Sequence, residues 1–381
     1  MNVFVYSLLV VVAYPYVIYP CLSWLISRFV RSKKYGPFYP SVTILIAAYN
    51  EIDCIRQKLN NTYDLEYPSA LLQVVVVTDG STDGTDLAVS TDGRAVLLHH
   101  AERKGKASAI NRAMQHIESS IVVCTDANTM LNRQAIAELV KYFQDSSIGA
   151  VAGEKRVITV NDNGSTKAEN VYWKYESKLR QWDADIHSVT GAVGELYAIR
   201  RDLFYVLPEQ TICDDLHMTM RVVADGKRVV YEPGAYGTEK MSETIADEWK
   251  RKVRIAAGSI QFCHRMKLLQ FCYKQPCAAF QFISRKLFRW LVVPYALIAL
   301  FMAGAIGLYY RSDTWVVVIC SVQFIFYVWA LAGWFYIRYR HLPGIFFFPF
   351  YFLMANTAII VGTYAYITGK SFVLWDRVKR T

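Results

Sequence analysis

The chain has 381 residues, 54% of them hydrophobic, and a formal net charge of +10 from 42 Lys+Arg against 32 Asp+Glu. That length allows more than one domain, and the apolar fraction is high for a soluble enzyme. The eight cysteines include no Cys-x-x-Cys pair, which argues against a zinc pattern or a disulfide framework and for reduced thiols.

The first element in chain order is an apolar run from Val3 to Ile26, with no charge before Arg28. About 20 such residues cross a hydrocarbon core as a helix. No basic stretch precedes the run and no small-residue cleavage site follows it, so it reads as a transmembrane helix (residues 1–30) and not as a signal peptide. Pro15 and Pro20 predict a kink. Arg28, Arg31, Lys33 and Lys34 follow, and the positive-inside rule puts the next domain in the cytoplasm.

That domain spans residues 38–262 and alternates strands with helices. "SVTILIAAY" is a strand, and Asn50 is placed to cap the helix "EIDCIRQKLNN". "LQVVVVT" is a second strand, ending in the acidic loop of Asp79, Gly80, Ser81, Asp83 and Gly84. "AVLLHH" is a third strand, "GKASAINRAMQHI" a helix and "SIVVCTD" a fourth strand. The alternation predicts an α/β fold with a mostly parallel sheet, whose ligands sit at the carboxyl ends of the strands. The functional residues are then expected at Ala48–Glu51, Thr78–Asp83 and Asp126–Asn128. No Gly-x-Gly-x-x-Gly follows the first strand, and no Walker A spacing occurs around "GKAS".

Three acidic or basic clusters follow. Asp126 and Asn128, two apart beyond a strand, suit one hard divalent cation, Mg²⁺ or Mn²⁺, that also takes diphosphate oxygens. The competing reading is an Asx turn, and the acidic lip at Asp79 and Asp83 favours the metal. Asp214 and Asp215 open a helix in "ICDDLHMTMRVVADG". They are either dipole partners of that helix or the source of a proton acceptor; His217 nearby reads as structural. Lys250, Arg251, Lys252 and Arg254 occupy about one helical turn, with Arg251 and Arg254 on one face. The cluster is either a solvated face or a diphosphate-binding one.

Residues 263–286 mix aromatic and basic types and predict amphipathic helices in the membrane interface, with Lys267, Lys274, Arg285 and Lys286 facing headgroups. The region 287–381 holds three apolar segments, Leu287–Tyr310, Thr314–Ile337 and Gly344–Ile367. They are separated by Arg311-Ser312-Asp313 and by the basic loop with Arg338, Arg340 and His341, expected in the cytoplasm. Three crossings leave the tail outside, yet it carries Lys370, Arg377, Lys379 and Arg380. Either the tail departs from the rule, or the last segment, broken by Pro349, enters and returns.

The ordered set "ILIAAYNE", "VVVTDGSTDGT", "RKGKASAINRA", "CTDANT", "GAVGELYAIRR", "CDDLHMTMRV" and "RKVRIAAG" resembles the membrane-bound family 2 glycosyltransferases, the cellulose, chitin and hyaluronan synthase-like group with a GT-A fold. The resemblance covers roughly residues 40–260. It implies an inverting, metal-dependent transfer from a nucleotide sugar, UDP-linked, to a glycan or lipid-linked acceptor in polysaccharide biosynthesis. It implies that Ala48, Tyr49, Glu51 and Asp79 hold the base and ribose, and that Lys106 reaches the nucleotide or its diphosphate. Asp126 and Asn128 match the Asp-x-Asp metal motif, with Asn in the second place. The loop with Gly191, Ala192, Gly194 and Glu195, together with Asp214, would shape the donor and acceptor pocket. Asp215 matches the catalytic base, and Arg251 and Arg254 match the first and fourth positions of the Gln-x-x-Arg-Trp motif. Thr78 departs from the first Asp of the usual Asp-Asp-Gly-Ser. Ile255 stands where the long-chain synthases place Trp, which favours adding one or a few sugars.

The expected partners are therefore a nucleotide-sugar donor, a glycan or lipid-linked acceptor and the lipid bilayer, with no nucleic acid. The expected location is the cell (inner) membrane, multi-pass, with the catalytic domain cytoplasmic. The nearest alternative is a polyprenyl-phosphate sugar transferase of the same fold, which needs no base to deprotonate a hydroxyl. An alternative of another class is a transporter or receptor with a nucleotide-sensing domain, disfavoured because the apolar segments are almost free of charge.

Overall fold

The computed structural model describes residues 2–30, 33–158, 164–240, 244–309, 314–339, 344–370 and 372. Arg31, the loop 311–313, Arg340, His341 and the tail residues Arg377, Lys379 and Arg380 lie outside the described residues.

The N-terminal apolar run forms α1 (Asn2–Ala13) and α2 (Tyr19–Ser27), joined by a π-helical segment, Tyr14–Ile18, at the predicted proline break. The central domain then alternates β1 (Val42–Ala48), α3 (Ile52–Tyr63), β2 (Leu72–Asp79), α4 (Thr85–Asp92), β3 (Val96–His100), α5 (Lys106–Met114) and β4 (Ile121–Asp126). It continues with β5 (Met130–Leu131), α6 (Ala135–Val140), β6 (Ile148–Ile158), α7 (Gly164–Ile186), β7 (Leu196–Arg200), α8 (Asp214–Ala224), β8 (Arg228–Lys240) and α9 (Ile245–Arg265). The eight strands form one sheet in the order β3-β2-β1-β4-β7-β6-β8-β5. β1 pairs in parallel with β2 and β4, and β2 with β3. β7 runs antiparallel between β4 and β6, and β8 is parallel to β6. This is the mostly parallel arrangement expected from the alternating pattern, and it agrees with the GT-A fold that the resemblance implies.

The period-2 alternation of strand side chains explains the two cores. Val42, Ile44, Ile46 and Ala48 of β1 point to a core shared with Ile55, Leu59, Val89 and Leu139. Leu45 of the same strand points to the other, shared with Ile110, Met114, Leu216 and Phe262. Both faces of the sheet are covered, which is why its central strands read as unbroken Val/Ile/Leu runs.

After α9 come α10 (Leu268–Lys274) and α11 (Pro276–Phe282), a π-helical segment Ile283–Val292, α12 (Val293–Tyr309), α13 (Thr314–Tyr339) and α14 (Gly344–Ile367). Among the described residues four helical runs are long and apolar enough to cross a membrane: Asn2–Ser27, Pro276–Gly307, Thr314–Tyr336 and Gly344–Ile367. The second begins at Pro276, not near 287. The second half of 263–286, read from the sequence as amphipathic interfacial helices, is thus the foot of this long helical run.

Arg285 corrects the same reading more sharply. It does not face headgroups; it is 1% exposed and donates to Asp183 (2.5 Å) and Glu176 (2.7 Å) on α7. Arg289 also donates to Glu176, at 2.6 Å, and Tyr19 and Ser23 of α2 donate to Asp183. The last segment is likewise not broken at Pro349: α14 is one helix through it. α14 lies beside α9 over its whole length. Phe347 and Phe350 pack with Trp249, Gly362 sits on Val253 and Ala256, and Tyr366 meets His264 Nδ1 at 2.7 Å.

Candidate active site

Strand register gathers the predicted residues. Ala48 pairs with Thr78 across β1 and β2, and Ala47 with Asp126 across β1 and β4, so the three carboxyl ends stop at one level. Thr125 pairs with Leu196 of β7, which brings the 191–195 loop beside Asp126.

The centre of the site is the Lys106 ammonium. It begins α5 just after Gly105 and donates to Asp126 Oδ1 at 2.8 Å, with Asp214 Oδ2 at 3.6 Å. A Cβ added to Gly194 would lie 3.6 Å from both Lys106 Nζ and Asp215 Oδ2. Gly194 therefore lies beside both the ammonium and the carboxylate. Gly191 has φ +110°, and a Cβ there would stand 2.7 Å from Leu216 Cδ1, so only glycine makes that bend without strain. The loop is tied to α8: Ala192 N–H donates to Thr219 Oγ1 (3.1 Å), whose hydroxyl donates to Asp215 O (2.7 Å).

Three carboxylates thus surround one ammonium, and the electrostatics follow. Burial disfavours the Lys106 charge, but Asp126 and Asp214 more than offset it and hold the ammonium protonated. Burial, then the like charge of Asp214, pushes the Asp215 carboxyl up to about 7 despite Lys106. A carboxylate titrating near neutrality is suited to accept a proton. His217 does not join them: Nδ1–H donates to Cys213 O at 2.8 Å, and the ring packs edge-on against Phe262.

The acidic lip is a different matter. Asp79 is buried and its carboxylate accepts the N–H groups of Lys104 and Gly105, the latter at 2.7 Å. Asp83 accepts from Ile52 N (3.0 Å) and from Thr85 N (3.0 Å) and Oγ1 (2.5 Å). Both shape loops instead of presenting free oxygens, which corrects the lip reading. Asp83 also takes over the capping expected of Asn50. Asn50 adopts φ 53°, and its Oδ1 accepts Thr82 N–H at 2.8 Å. Ala48 is buried, while Tyr49 is half-buried with the Arg103 guanidinium 3.7 Å from its ring centroid. Glu51 N–H donates to Thr85 Oγ1 at 2.8 Å.

Asp126 and Asn128 leave an oxygen of the kind a hard cation takes. Asn128 Oδ1 is buried and accepts no hydrogen bond within the protein, and the Asp126 carboxylate beside it already receives a cationic group, Lys106. Among the described residues no group of three His, Cys, Asp or Glu side chains is placed to hold a metal. One carboxylate and one amide oxygen suit an ion that draws its other ligands from diphosphate and water.

On α9, Arg251 is bonded to Glu248 (3.0 and 3.2 Å) and also acts on Glu195. Arg254 acts on the Cys213 thiol next to Asp215. Among the described residues Arg254 forms no ion pair. Burial pushes Glu195 up, but Lys155 outweighs it and holds the carboxyl at about 2, so Glu195 stays charged and engaged.

Sequence reasoning missed Lys58. In a helix that reads as polar, it is fully buried and donates to Thr125 Oγ1 (3.0 Å) and Thr129 O (2.5 Å) on either side of Asp126–Asn128. Burial pushes its ammonium down to about 7. Arg103 was missed too: it opens the motif "RKGKASAINRA", and only the structure stacks it on Tyr49.

Comparison with known proteins decides the class. Residues 43–207 match the glycosyl transferase family 2 profile. The chain carries a family 2 glycosyltransferase domain. A beta-monoglucosyldiacylglycerol synthase of Nostoc sp. is 30% identical over 237 residues, 58% of this chain and 49% of that protein. A poly-beta-1,6-N-acetyl-D-glucosamine synthase of Staphylococcus aureus is 25% identical over 232 residues, 57% of this chain and 54% of that one. The chain thus spans about half the length of the curated relatives it matches. The fold of mannosyltransferase PcManGT from Pyrobaculum calidifontis, solved with GDP-Man and Mn²⁺, superposes with a TM-score of 0.72 at 23% identity, covering 97% of this chain and 100% of that chain.

Proposed function

We propose that this glycosyltransferase moves a sugar, with inversion, from a nucleotide sugar, UDP-linked, to a hydroxyl of a membrane-held glycan or glycolipid. The observation that carries this reading is Asp215: a carboxyl titrating near 7 that shares the neighbourhood of Gly194 with the Lys106 ammonium. The nucleoside sits at the β1 and β2 ends against Tyr49 and Arg103, with Ala48, Glu51 and Asp79 shaping its floor. Lys106 and Arg254 bind the diphosphate, and Arg251 orders the α9 end of the pocket through Glu248 and Glu195. A divalent cation held by Asp126 and Asn128 supplies charge neutralisation to the diphosphate. Asp215 takes the acceptor hydroxyl proton as the new bond forms at the anomeric carbon and the bond to the diphosphate breaks. A single displacement inverts the anomeric centre. The loop Gly191–Glu195 and Asp214 wall the sugar pocket. A lipid-phosphate acceptor would give this raised carboxyl no proton to take, which disfavours the polyprenyl-phosphate alternative.

The same proposal places the domain on the cytoplasmic face. α9 carries Asp247, Glu248, Lys250, Arg251, Lys252 and Arg254, so it cannot enter a bilayer, and α14 lies against it throughout. We therefore assign three crossings, Asn2–Ser27, Pro276–Gly307 and α13, with α14 as a surface helix whose outer face meets lipid. The basic tail then stays inside, in accord with the positive-inside rule. A green fluorescent protein fused after Thr381 fluoresces under this topology and stays dark if α14 crosses.

The activity is tested by a donor screen with the full chain in detergent, reading nucleoside diphosphate release across UDP- and GDP-linked sugars, with acceptor lipids added. Release that depends on acceptor, with an inverted linkage by NMR, supports the proposal. A retained anomeric configuration refutes the single displacement.

A further inference from the structure

The segment Thr125–Leu131 leaves β4, carries Asp126 and Asn128, and enters β5. Its backbone turns at once, with Thr129 N–H donating to Asp126 O at 3.2 Å. Such a turn directs the Thr129 carbonyl into the protein interior, where an oxygen without a donor costs about 1–3 kcal/mol. The Lys58 amine meets it at 2.5 Å. Thr125 Oγ1 gives its own proton to Glu195 O at 2.9 Å, so toward Lys58 it accepts, at 3.0 Å. One amine therefore joins the residue before Asp126, the residue after Asn128 and, through Thr125, the 191–195 loop. Protonated or neutral, a lysine side chain has the two N–H donors this needs.

One helical turn further on, Asn61 faces the same way. Its Oδ1 accepts Leu131 N–H at 2.7 Å and its Nδ2 donates to Leu131 O at 2.9 Å. That pair of bonds is what a neighbouring strand would supply. α3 thus grips the segment at Thr125, Thr129 and Leu131 and leaves Asp126 and Asn128 between the grips.

We propose that Lys58 is a positioning residue for the cation site, with Asn61 as its second anchor. α3 fixes the two ends of Thr125–Leu131 and thereby the separation of the Asp126 and Asn128 oxygens. The inference rests on the reading of those two residues as cation ligands. Lys58 is 0% exposed and is not placed to touch donor or acceptor. Its effect is on cation affinity, not on the proton transfer at Asp215.

The test is Mn²⁺ binding by the full chain in detergent, followed by electron paramagnetic resonance, with UDP or GDP present, whichever binds. Lys58→Met keeps the volume and removes both donors. Orienting partners of this kind are worth about 10–100-fold in metal affinity. Lys58→Met is expected to weaken Mn²⁺ by that factor, to leave metal-free nucleotide affinity within about twofold of wild type, and to regain most of its kcat at saturating Mn²⁺. If Lys58→Met does not fold, Asn61→Ala replaces it, with Mn²⁺ affinity expected to fall about tenfold. Wild-type Mn²⁺ affinity in a folded Lys58→Met or Asn61→Ala protein overturns the proposal. A wild-type chain that binds no more Mn²⁺ than Asp126→Ala overturns the cation reading itself, and the positioning role with it.

Discussion

Two regions of this protein bury charge, and they do so in opposite ways. At the joint between the apolar helices and α7, the guanidinium groups of Arg285 and Arg289 face the carboxylates of Glu176 and Asp183, all within 2.7 Å, with Tyr19 and Ser23 also donating to Asp183. The balance is two against two. At the strand ends Asp126, Asp214 and Asp215 share one Lys106, and Asn128 Oδ1 accepts nothing from the protein. The balance there is three against one. A balanced buried cluster locks a geometry, whereas an unbalanced one is held at a cost in folding until a cation or proton completes it.

Cutting the balanced cluster is expected to have the largest effect. Arg285→Ala leaves the buried Asp183 with no cationic partner and Glu176 with Arg289 alone, and lowers stability by about 3–5 kcal/mol, read as a drop in the thermal midpoint in detergent. In the unbalanced cluster, Asp214→Asn removes a like charge, so its midpoint stays level or rises. A fall in midpoint for Asp214→Asn comparable to that for Arg285→Ala would erase the distinction.

Removing the cation comes next. EDTA is expected to stop sugar transfer, and Mg²⁺ or Mn²⁺ to restore it, in an assay of nucleoside diphosphate release. Full turnover in EDTA would leave the excess negative charge at the strand ends without a purpose.

The pH dependence sharpens the comparison with a smaller effect. The Asp215 base form exists above about 7, so kcat/KM for acceptor rises with pH through a midpoint near 7. Asp214→Asn moves that midpoint lower, because the like charge helps raise it. The stability sign is the reverse. A carboxyl whose pKa is raised on folding adds stability at low pH, and this is lost as pH rises through about 7. The thermal midpoint therefore declines slightly across that range, and Asp215→Asn flattens the decline.

Part of this design is legible in the amino-acid sequence alone. The Val/Ile runs of β1, β2 and β4 end in polar residues because buried parallel strands deliver their carboxyl ends to a ligand, and Asp126 and Asn128 stand out by that position, as Asp215 does at the head of its helix. Asp79 and Asp83 share the strand-end pattern but spend their oxygens on backbone N–H groups, and spacing cannot tell a ligand carboxylate from a turn-closing one. Lys58 and Asn61 look like the solvated side of α3; only the path of Thr125–Leu131 across that helix makes them interior. Arg285 lies more than 100 positions from Glu176 and Asp183, so its basic character reads as headgroup contact. The docking of α14 on α9 is hidden because an apolar helix that covers a protein surface has the same composition as one that crosses lipid.

The most direct test of the central claim is Asp215→Asn, measured for nucleotide binding and for sugar transfer in the same preparation. A neutral amide of the same shape is expected to keep nucleotide affinity and to lower transfer by about 10²–10⁴-fold. Transfer at the wild-type rate would show that the raised carboxyl at the head of α8 takes no proton and that the unbalanced cluster is not the catalytic centre.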